Sequence, residues 1–410
     1  MSTPLTINPG DTAWVLVSTA LVLLMTPALA FFYGGMVRKK NVLSTLNLSF
    51  IMIGVVSVQW VLFGYSLAFG PDVKGIIGDL SWAGLKGVGA VPFEAYSKTI
   101  PHLLFAAFQM MFAVITPALI TGTIVDRVRF KTFLVFSLLW TTIIYDPLAH
   151  WVWGDGGWLK TMGALDFAGG TVVHIAAGFS ALAMALAIGP RKSYMSAPME
   201  PHNIPYTVLG AGLLWFGWFG FNAGSSLAAD GLATYAFVNT NTATAAAALA
   251  WMFCAWGDNK PSVLGIATGA VVGLVAITPA AGFVTPMGAM VIGAVAAPIS
   301  FFAIRLRQKM KLDDSLDVWA CHGMGGLTGA LMTGLLATKS VNEAGADGLF
   351  YGNPGQFLTQ IVACATTIGF VFVVTFVLAK ILNATMGLRV THPEEEVGLD
   401  LSEHGERAYS

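Results

Sequence analysis

Two histidines lie inside long apolar segments of this chain of 410 residues. His174 and His322 each stand among small or apolar neighbours. An ionisable side chain within a membrane is costly, usually faces the protein interior and marks an ion or proton path. A neutral imidazole both donates and accepts a hydrogen bond. The pair therefore predicts a proton relay or a hydrogen-bonding site for a small polar molecule. The alternative is two unrelated histidines whose ring nitrogens bond to backbone carbonyls.

The composition predicts a membrane protein around these histidines. Apolar residues make up 56% of the chain and charged residues 10%, whereas soluble domains carry about 25% charged residues. A helix needs about 20 apolar residues to cross the hydrocarbon layer, and the apolar segments are too long for barrel strands. We therefore predict an all-α integral membrane protein with eleven transmembrane helices. The predicted spans are 12–34, 43–69, 101–124, 132–150, 166–188, 205–224, 235–256, 262–279, 285–304, 317–337 and 356–381.

The basic residues predict the orientation of these spans. Sixteen of the 21 lysines and arginines fall in the segments on one side, and five fall on the other. Because cytoplasmic loops carry the excess of basic residues, we expect the N-terminus outside and the C-terminus inside. The chain is thus predicted to be a multi-pass protein of the inner (cytoplasmic) membrane. A net charge of −1 gives no reason to expect a nucleic-acid partner.

The chain divides into a membrane domain and a tail. Residues 1–381 form the predicted membrane domain, and 382–410 form a cytoplasmic tail rich in glutamate. The fifth span opens with Asp166 and carries His174, and the tenth opens with Asp317 and carries His322. This similarity predicts two inverted repeats of five helices plus one extra helix, an organisation typical of transporters with a site between the repeats.

Aromatic residues concentrate on one side of the predicted membrane. Trp153 follows the fourth span, Trp218 and Phe221 lie near the end of the sixth, and Phe108 and Phe112 share one helix face at i, i+4 spacing. Aromatic faces bind desolvated cations, although an interfacial belt and core packing are the alternative for any single ring. Asp166, at a helix start, would cap backbone N–H groups or attract a cation, with capping favoured.

Four stretches resemble the ammonium transporter/Rhesus family, on its ammonium-transporter branch. They occur in the family's order and extend over nearly the whole chain. The stretches are 166–174 (DFAGGTVVH), 217–225 (GWFGFNAGS), 317–323 (DVWACHG) and, in the tail, 398–406 (GLDLSEHGE).

The resemblance implies a role for each matching position. Trp153, Phe112 and Ser225 would form an outer ammonium site, supported by Asp166 without direct ligation. Phe112 and Phe221 would form a gate below that site. The implied pore residues are His174, His322, Trp218, Phe108, Thr268 and Thr278.

The resemblance also implies the function and the partners. Ammonium would be recruited at the outer site and deprotonated, and ammonia would cross a hydrophobic pore with or without the proton; methylammonium would serve as an analogue. The family forms homotrimers in membrane lipid, and many bacterial members are blocked by a cytoplasmic PII-type signalling protein. Two alternatives are an ammonium sensor and a passive gas pore. We expect no enzymatic activity, cofactor or metal, because the sequence lacks the corresponding motifs. We also expect the tail to fold against the cytoplasmic face, with the basic residues of 305–311 as its docking surface.

Overall fold

The computed structural model describes residues 5–258 and 260–409, and helices dominate it. The long helices are α1 (Pro9–Met36), α2 (Lys39–Phe69), α3 (His102–Ile124), α4 (Phe130–Met162), α5 (Gly170–Ile188), α6 (Ile204–Ser226), α7 (Gly231–Trp256), α8 (Val263–Ile277), α9 (Pro286–Lys309), α10 (319–336) and α11 (Pro354–Thr385). Two short helices follow in the tail, α12 (His392–Val397) and α13 (Leu399–His404). A small antiparallel hairpin joins β1 (Asp72–Val73) to β2 (Ile77–Gly78).

Each predicted span overlaps one of the helices α1 to α11, and the all-α membrane fold is confirmed. Within the described residues, eight of these helices are long and apolar enough to cross a membrane. Helix α8 is apolar but shorter, with 15 residues. The number of spans, their orientation and the inverted repeats remain predictions.

Polar side chains fix where several of these helices begin. At the start of α1 the Asn8 side chain accepts hydrogen bonds from the backbone N–H groups of Gly10 and Asp11. Such caps satisfy N–H groups that have no partner within the helix. The same kind of cap opens five further helices, from Asn203 at α6, Asp230 at α7, Ser262 at α8, Thr285 at α9 and Asn353 at α11.

The two histidines occupy equivalent local structures. The first turn of α5 is π-helical over Gly170–Ile175 and contains His174. The first turn of α10 is π-helical over Trp319–Met324 and contains His322. Short π-helical turns are rare and frequently occur at functional sites. Helices α5 and α10 pack against each other at these turns, so the fold brings the two histidines to one place.

Candidate functional site

Glycines allow the two histidine-bearing helices to approach closely. A methyl group added at Gly178 would lie 2.1 Å from the backbone nitrogen of Gly323, which no packed structure accommodates. Small residues at such crossings let helix backbones come together. Because Gly178 lies one turn beyond His174 and Gly323 follows His322, this contact also sets the spacing of the imidazoles.

The two imidazoles form one buried pair. The Nδ1 atoms of His174 and His322 are 3.3 Å apart, and the rings stack with centroids 5.4 Å apart. Both residues are at most 2% exposed. Since one nitrogen must donate and the other accept, a single proton lies between the rings. Within the described residues, Nε2 of His174 has no hydrogen-bond partner, so it is free to bond a passing molecule.

Aromatic rings pack against one side of the histidine pair. The Trp218 indole stacks on His174 with centroids 5.4 Å apart, and Phe221 lies 6.1 Å from the same imidazole. The Nε1 of Trp218 donates to the Thr278 hydroxyl at 2.9 Å. Thr278 in turn donates to the carbonyl of Leu274, one turn earlier in α8. Thr278 therefore orients Trp218 and is itself fully buried.

The space at the histidine pair is narrow and almost entirely apolar. Its cavity volume is about 10 Å³, lined by the two histidines, Trp218, Phe221 and aliphatic side chains. That volume is about the minimum that holds one water-sized molecule. Phe221, which lines this cavity, packs against Phe112 with ring centroids 4.2 Å apart. Phe108 packs edge-on against Phe112 at 5.0 Å.

Beyond Phe112 lies a wider cavity of about 220 Å³, the Trp153 pocket. Trp153 and Phe112 meet edge to face, with centroids 6.0 Å apart. The indole Nε1 of Trp153 donates to the carbonyl of Asp166 at 2.9 Å. Ser225 also lines the pocket, and its hydroxyl donates to the Phe221 carbonyl at 2.8 Å. Since the Ser225 proton is used in that bond, the oxygen presents acceptor lone pairs to the pocket.

Asp166 lies next to the Trp153 pocket and stabilises the start of α5 beside it. Its carboxylate accepts backbone hydrogen bonds from Gly169, Gly170 and Thr171 at 2.6 to 2.8 Å. It also accepts from the Thr171 hydroxyl. These bonds cap the π-helical turn that carries His174, as expected for a carboxylate at a helix start. Asp166 is 8% exposed and does not line the pocket.

On the opposite side of the histidines lies a third cavity, the Asp317 pocket, of about 200 Å³. His322 and Cys321 form its floor, and Asp317 and Thr268 stand on its walls. Arg307 pairs with Asp317 at 2.6 Å. The histidine constriction thus separates two pockets of similar size, one rich in aromatic rings and the other carrying an ion pair. Thr268 belongs to the second pocket, far from Thr278 at the constriction.

A family model described as Ammonium Transporter Family matches residues 13–409. The chain belongs to the ammonium transporter family. It is 55% identical to the "Ammonium transporter" of Bacillus subtilis and 51% identical to "Ammonium transporter Amt1" of Archaeoglobus fulgidus. These matches extend over 98% of this chain, 98% of the first relative and 100% of the second.

Solved structures of the same family share the fold. Mep2 of Candida albicans superposes with a TM-score of 0.89 at 37% identity, over 98% of this chain and 91% of that one. A structure titled "Sensor Amt Protein" gives a TM-score of 0.89 at 29% identity, over 96% and 98% of the two chains.

The sequence analysis named only Trp153, Phe112 and Ser225 of the residues that line the Trp153 pocket, and Gln109 and Lys160 are among those it missed. Gln109 lines the pocket, and its side-chain oxygen has no hydrogen-bond partner within the described residues. Its spacing from Phe112 at i, i+3 placed it on the same helix face, so the sequence held a signal for it. Lys160 lines the same pocket. Its position depends on the short helix after Trp153, which the sequence pattern did not predict.

The tail of this ammonium transporter family member docks elsewhere than predicted. The proposed docking surface at 305–311 is wrong: Arg305 pairs with Asp258, and Arg307 with Asp317. Tail carboxylates instead accept hydrogen bonds from backbone N–H groups of loops and helix starts among the first six helices. Glu395 accepts from Lys192 at 2.7 Å, Asp400 from Ser44 at 2.8 Å and Glu403 from Phe130 at 2.9 Å.

A network of buried ions lies beneath the docked tail. The Arg191 guanidinium makes two hydrogen bonds to the Asp313 carboxylate, at 2.7 and 2.9 Å, and a third to Asp126 at 3.1 Å. Arg127 donates to the Asp313 carbonyl at 2.7 Å. Burial alone would raise the pKa of Asp313, but hydrogen bonds from Arg191 and the charge of Arg127 outweigh it and hold that pKa below its usual value.

Proposed function

We propose that this protein transports ammonium across the cytoplasmic membrane, and that ammonia passes the constriction at His174 and His322. The observation that carries the proposal is the imidazole pair, with Nδ1 atoms 3.3 Å apart, in a cavity of about 10 Å³ between two larger pockets. Family membership and the names of the relatives support ammonium as the substrate.

The Trp153 pocket supplies the chemistry for recruiting a cation. The rings of Trp153 and Phe112 offer π faces, and a cation over such a face gains about 0.5 to 2 kcal/mol. The Ser225 oxygen offers a hydrogen-bond acceptor. Ammonium donates hydrogen bonds, so it satisfies this acceptor, whereas a potassium ion of similar charge has no proton to donate. Ser225 thereby favours ammonium in particular.

The constriction favours the neutral molecule. Moving a bare ion out of water into an apolar space is costly, and the Phe112–Phe221 contact leaves no room for a hydration shell. Ammonium therefore releases its proton before passage, and ammonia crosses while bonding to the histidine nitrogens. The proton either returns to the starting side, which gives neutral transport, or moves along the imidazoles, which gives an electric current.

The two serines at the end of α6 allow a controlled test of the site. Ser225 lines the Trp153 pocket, whereas the hydroxyl of neighbouring Ser226 donates to Ala223 and Ala228. We expect Ser225→Ala to raise the KM for methylammonium uptake into proteoliposomes several-fold with little change in maximal rate, because the site acts before the barrier. Trp153→Leu should act in the same direction, and Ser226→Ala should behave as the wild type. An unchanged KM in both Ser225→Ala and Trp153→Leu would remove this site assignment.

We further propose that residues 1–381 form the transport domain and that 382–410 regulate it. The tail contacts loops and helix starts among the first six helices, so its movement would reach the helices that line the path. A homotrimer and a cytoplasmic PII-type partner are part of this proposal. Pull-down of such a protein from native membranes, with the full chain and with a form truncated after residue 385, tests the partner.

A sensor role is the second candidate, favoured by the structural similarity to a protein titled "Sensor Amt Protein". A sensor would need occupancy of the Trp153 pocket to change the tail without flux through the constriction. An experiment with the transport-deficient His174→Ala variant separates the sensor from the transporter. Proteolysis of the tail is measured in this variant with and without ammonium. Ammonium-dependent protection in that variant would support sensing.

A further inference from the structure

Lys160 places a primary ammonium group of the protein itself at the mouth of the Trp153 pocket. The residue belongs to the short helix Trp158–Met162 and lines the pocket. Its Nζ donates a hydrogen bond to the Trp153 carbonyl at 3.2 Å and lies 5.9 Å from the centre of the Tyr96 ring. Both contacts are of the kinds that a free ammonium ion would make, a carbonyl acceptor and an aromatic face.

Among the described residues, the lining of this pocket contains no carboxylate that would balance the charge of Lys160. Among the described residues that line it, Lys160 is the one charged side chain, and the others are aromatic, aliphatic or neutral polar. Two carboxylates lie outside the lining but close to it. Asp155 is exposed, its backbone N–H donates to the Tyr96 hydroxyl at 3.2 Å, and its charge acts on Lys160. The Asp166 carboxylate is engaged by the N–H groups of Gly169, Gly170 and Thr171 at the start of α5. A cation that enters the pocket therefore meets a fixed positive charge at its mouth.

We infer that Lys160 is a tethered cation that lowers the affinity of the Trp153 pocket for cations and disfavours those of higher charge. Repulsion scales with the charge of the incoming ion, so a divalent metal or a polyamine meets at least twice the penalty of ammonium. Ammonium offsets the smaller penalty through the π faces and the Ser225 oxygen. The inference rests on the proposed function, because it concerns which cations reach the same site.

Neutralising Lys160 tests this directly. We expect Lys160→Met to lower the KM for methylammonium by about three- to tenfold, the scale of a partly screened interaction between like charges. The difference should shrink as ionic strength rises. Lys160→Arg, which keeps the charge, should retain the wild-type KM. Lys86 lies in the segment between β2 and α3 that also carries Tyr96, but it does not line the pocket. Lys86→Met should therefore leave the KM unchanged.

Inhibition by spermidine gives the second measurement. The polyamine should inhibit uptake by Lys160→Met at concentrations at least severalfold lower than it needs for the wild type. A KM that is unchanged or higher in Lys160→Met would overturn the inference, because a lysine that only positions Trp153 predicts a weaker site on removal. Absence of ammonium uptake by the wild type would instead contradict the proposed function. Failure of the inference and failure of the proposed function are therefore distinguishable.

Discussion

The histidine pair and the ion network beneath the tail are two regions that bury ionisable side chains in different ways. At the constriction, His174 and His322 face each other and share one proton, and neither has an ion-pair partner among the described residues. In the network, Arg191 is held by Asp313 and Asp126 through several charge-assisted bonds. Within the described residues, His174 keeps one ring nitrogen without a hydrogen-bond partner, whereas the guanidinium of Arg191 bonds to two carboxylates. The comparison predicts different consequences when each region is changed.

The largest effect is expected from breaking the network. Arg191→Leu leaves the Asp313 and Asp126 carboxylates buried without their main partner, which costs about 3–5 kcal/mol. We expect a clearly lower melting temperature in detergent. Replacing both partners, as Arg191→Leu with Asp313→Leu, should recover part of the loss because one uncompensated charge is gone.

The exposed ion pair made by Lys192, the residue that follows Arg191, is the matched control. Lys192 pairs with Glu396, and both side chains are about half exposed, so Lys192→Leu should change stability by less than about 1 kcal/mol. Equal melting temperatures for Arg191→Leu and Lys192→Leu would show that the network does not stabilise the fold as described.

Changes at the histidine pair should affect transport and spare the fold. We expect His174→Ala and His322→Ala each to reduce ammonium transport by about tenfold, equivalent to about 1.4 kcal/mol in the barrier. Because the imidazoles act as one hydrogen-bonded unit, the double variant should lose little more than either single variant. Selectivity against potassium should relax in the double variant, since the constriction widens.

A buried histidine outside the path provides the control for this pair. His102 bonds to the Tyr65 hydroxyl and stacks on Phe93, away from the constriction, so His102→Phe should keep wild-type flux. Additive losses in the double variant, or melting temperatures that fall along with flux, would contradict a shared proton as the reason for the pairing.

The smallest effects are expected in the tail. Truncation after residue 385 should lower transport without abolishing trimers, because the docked helices α12 and α13 stabilise the loops rather than form the path. Asp400→Ala removes one acceptor for the Ser44 N–H and should weaken docking by about 1 kcal/mol. Exposed Glu406→Ala is the control. Full transport by the truncated form would refute the coupling.

The same two regions show which features could be predicted from the sequence alone. The histidines and Asp166 stood out in the sequence because they lie near the starts of apolar spans, whereas the resemblance to the family implied the roles of the aromatic rings. The docking partners of the tail were mispredicted because they depend on contacts between residues about 200 to 360 positions apart, such as Glu395 with Lys192 and Asp400 with Ser44. Charge alone pointed to 305–311, but those arginines already pair with Asp258 and Asp317.

Whether a polar side chain is buried was also harder to predict from the sequence than the presence of that side chain near a site. His150 ends the predicted span 132–150, where the apolar pattern does not indicate whether its side chain is buried; in the structure it is fully buried and bonds to Asp72 and to the carbonyl of Ala68. The bond depends on the β1–β2 hairpin folding over the end of α4, which the pattern of apolar residues does not encode.

The most direct test of the account is a comparison of ammonium and potassium pulses on proteoliposomes that contain the purified wild-type protein. Transport is followed by electrical current and by internal pH, so that charged and neutral passage are both recorded. The account predicts a signal that saturates with ammonium and no signal from potassium at the same concentration. A potassium signal equal to the ammonium signal would contradict the passage of ammonia through the constriction at His174 and His322.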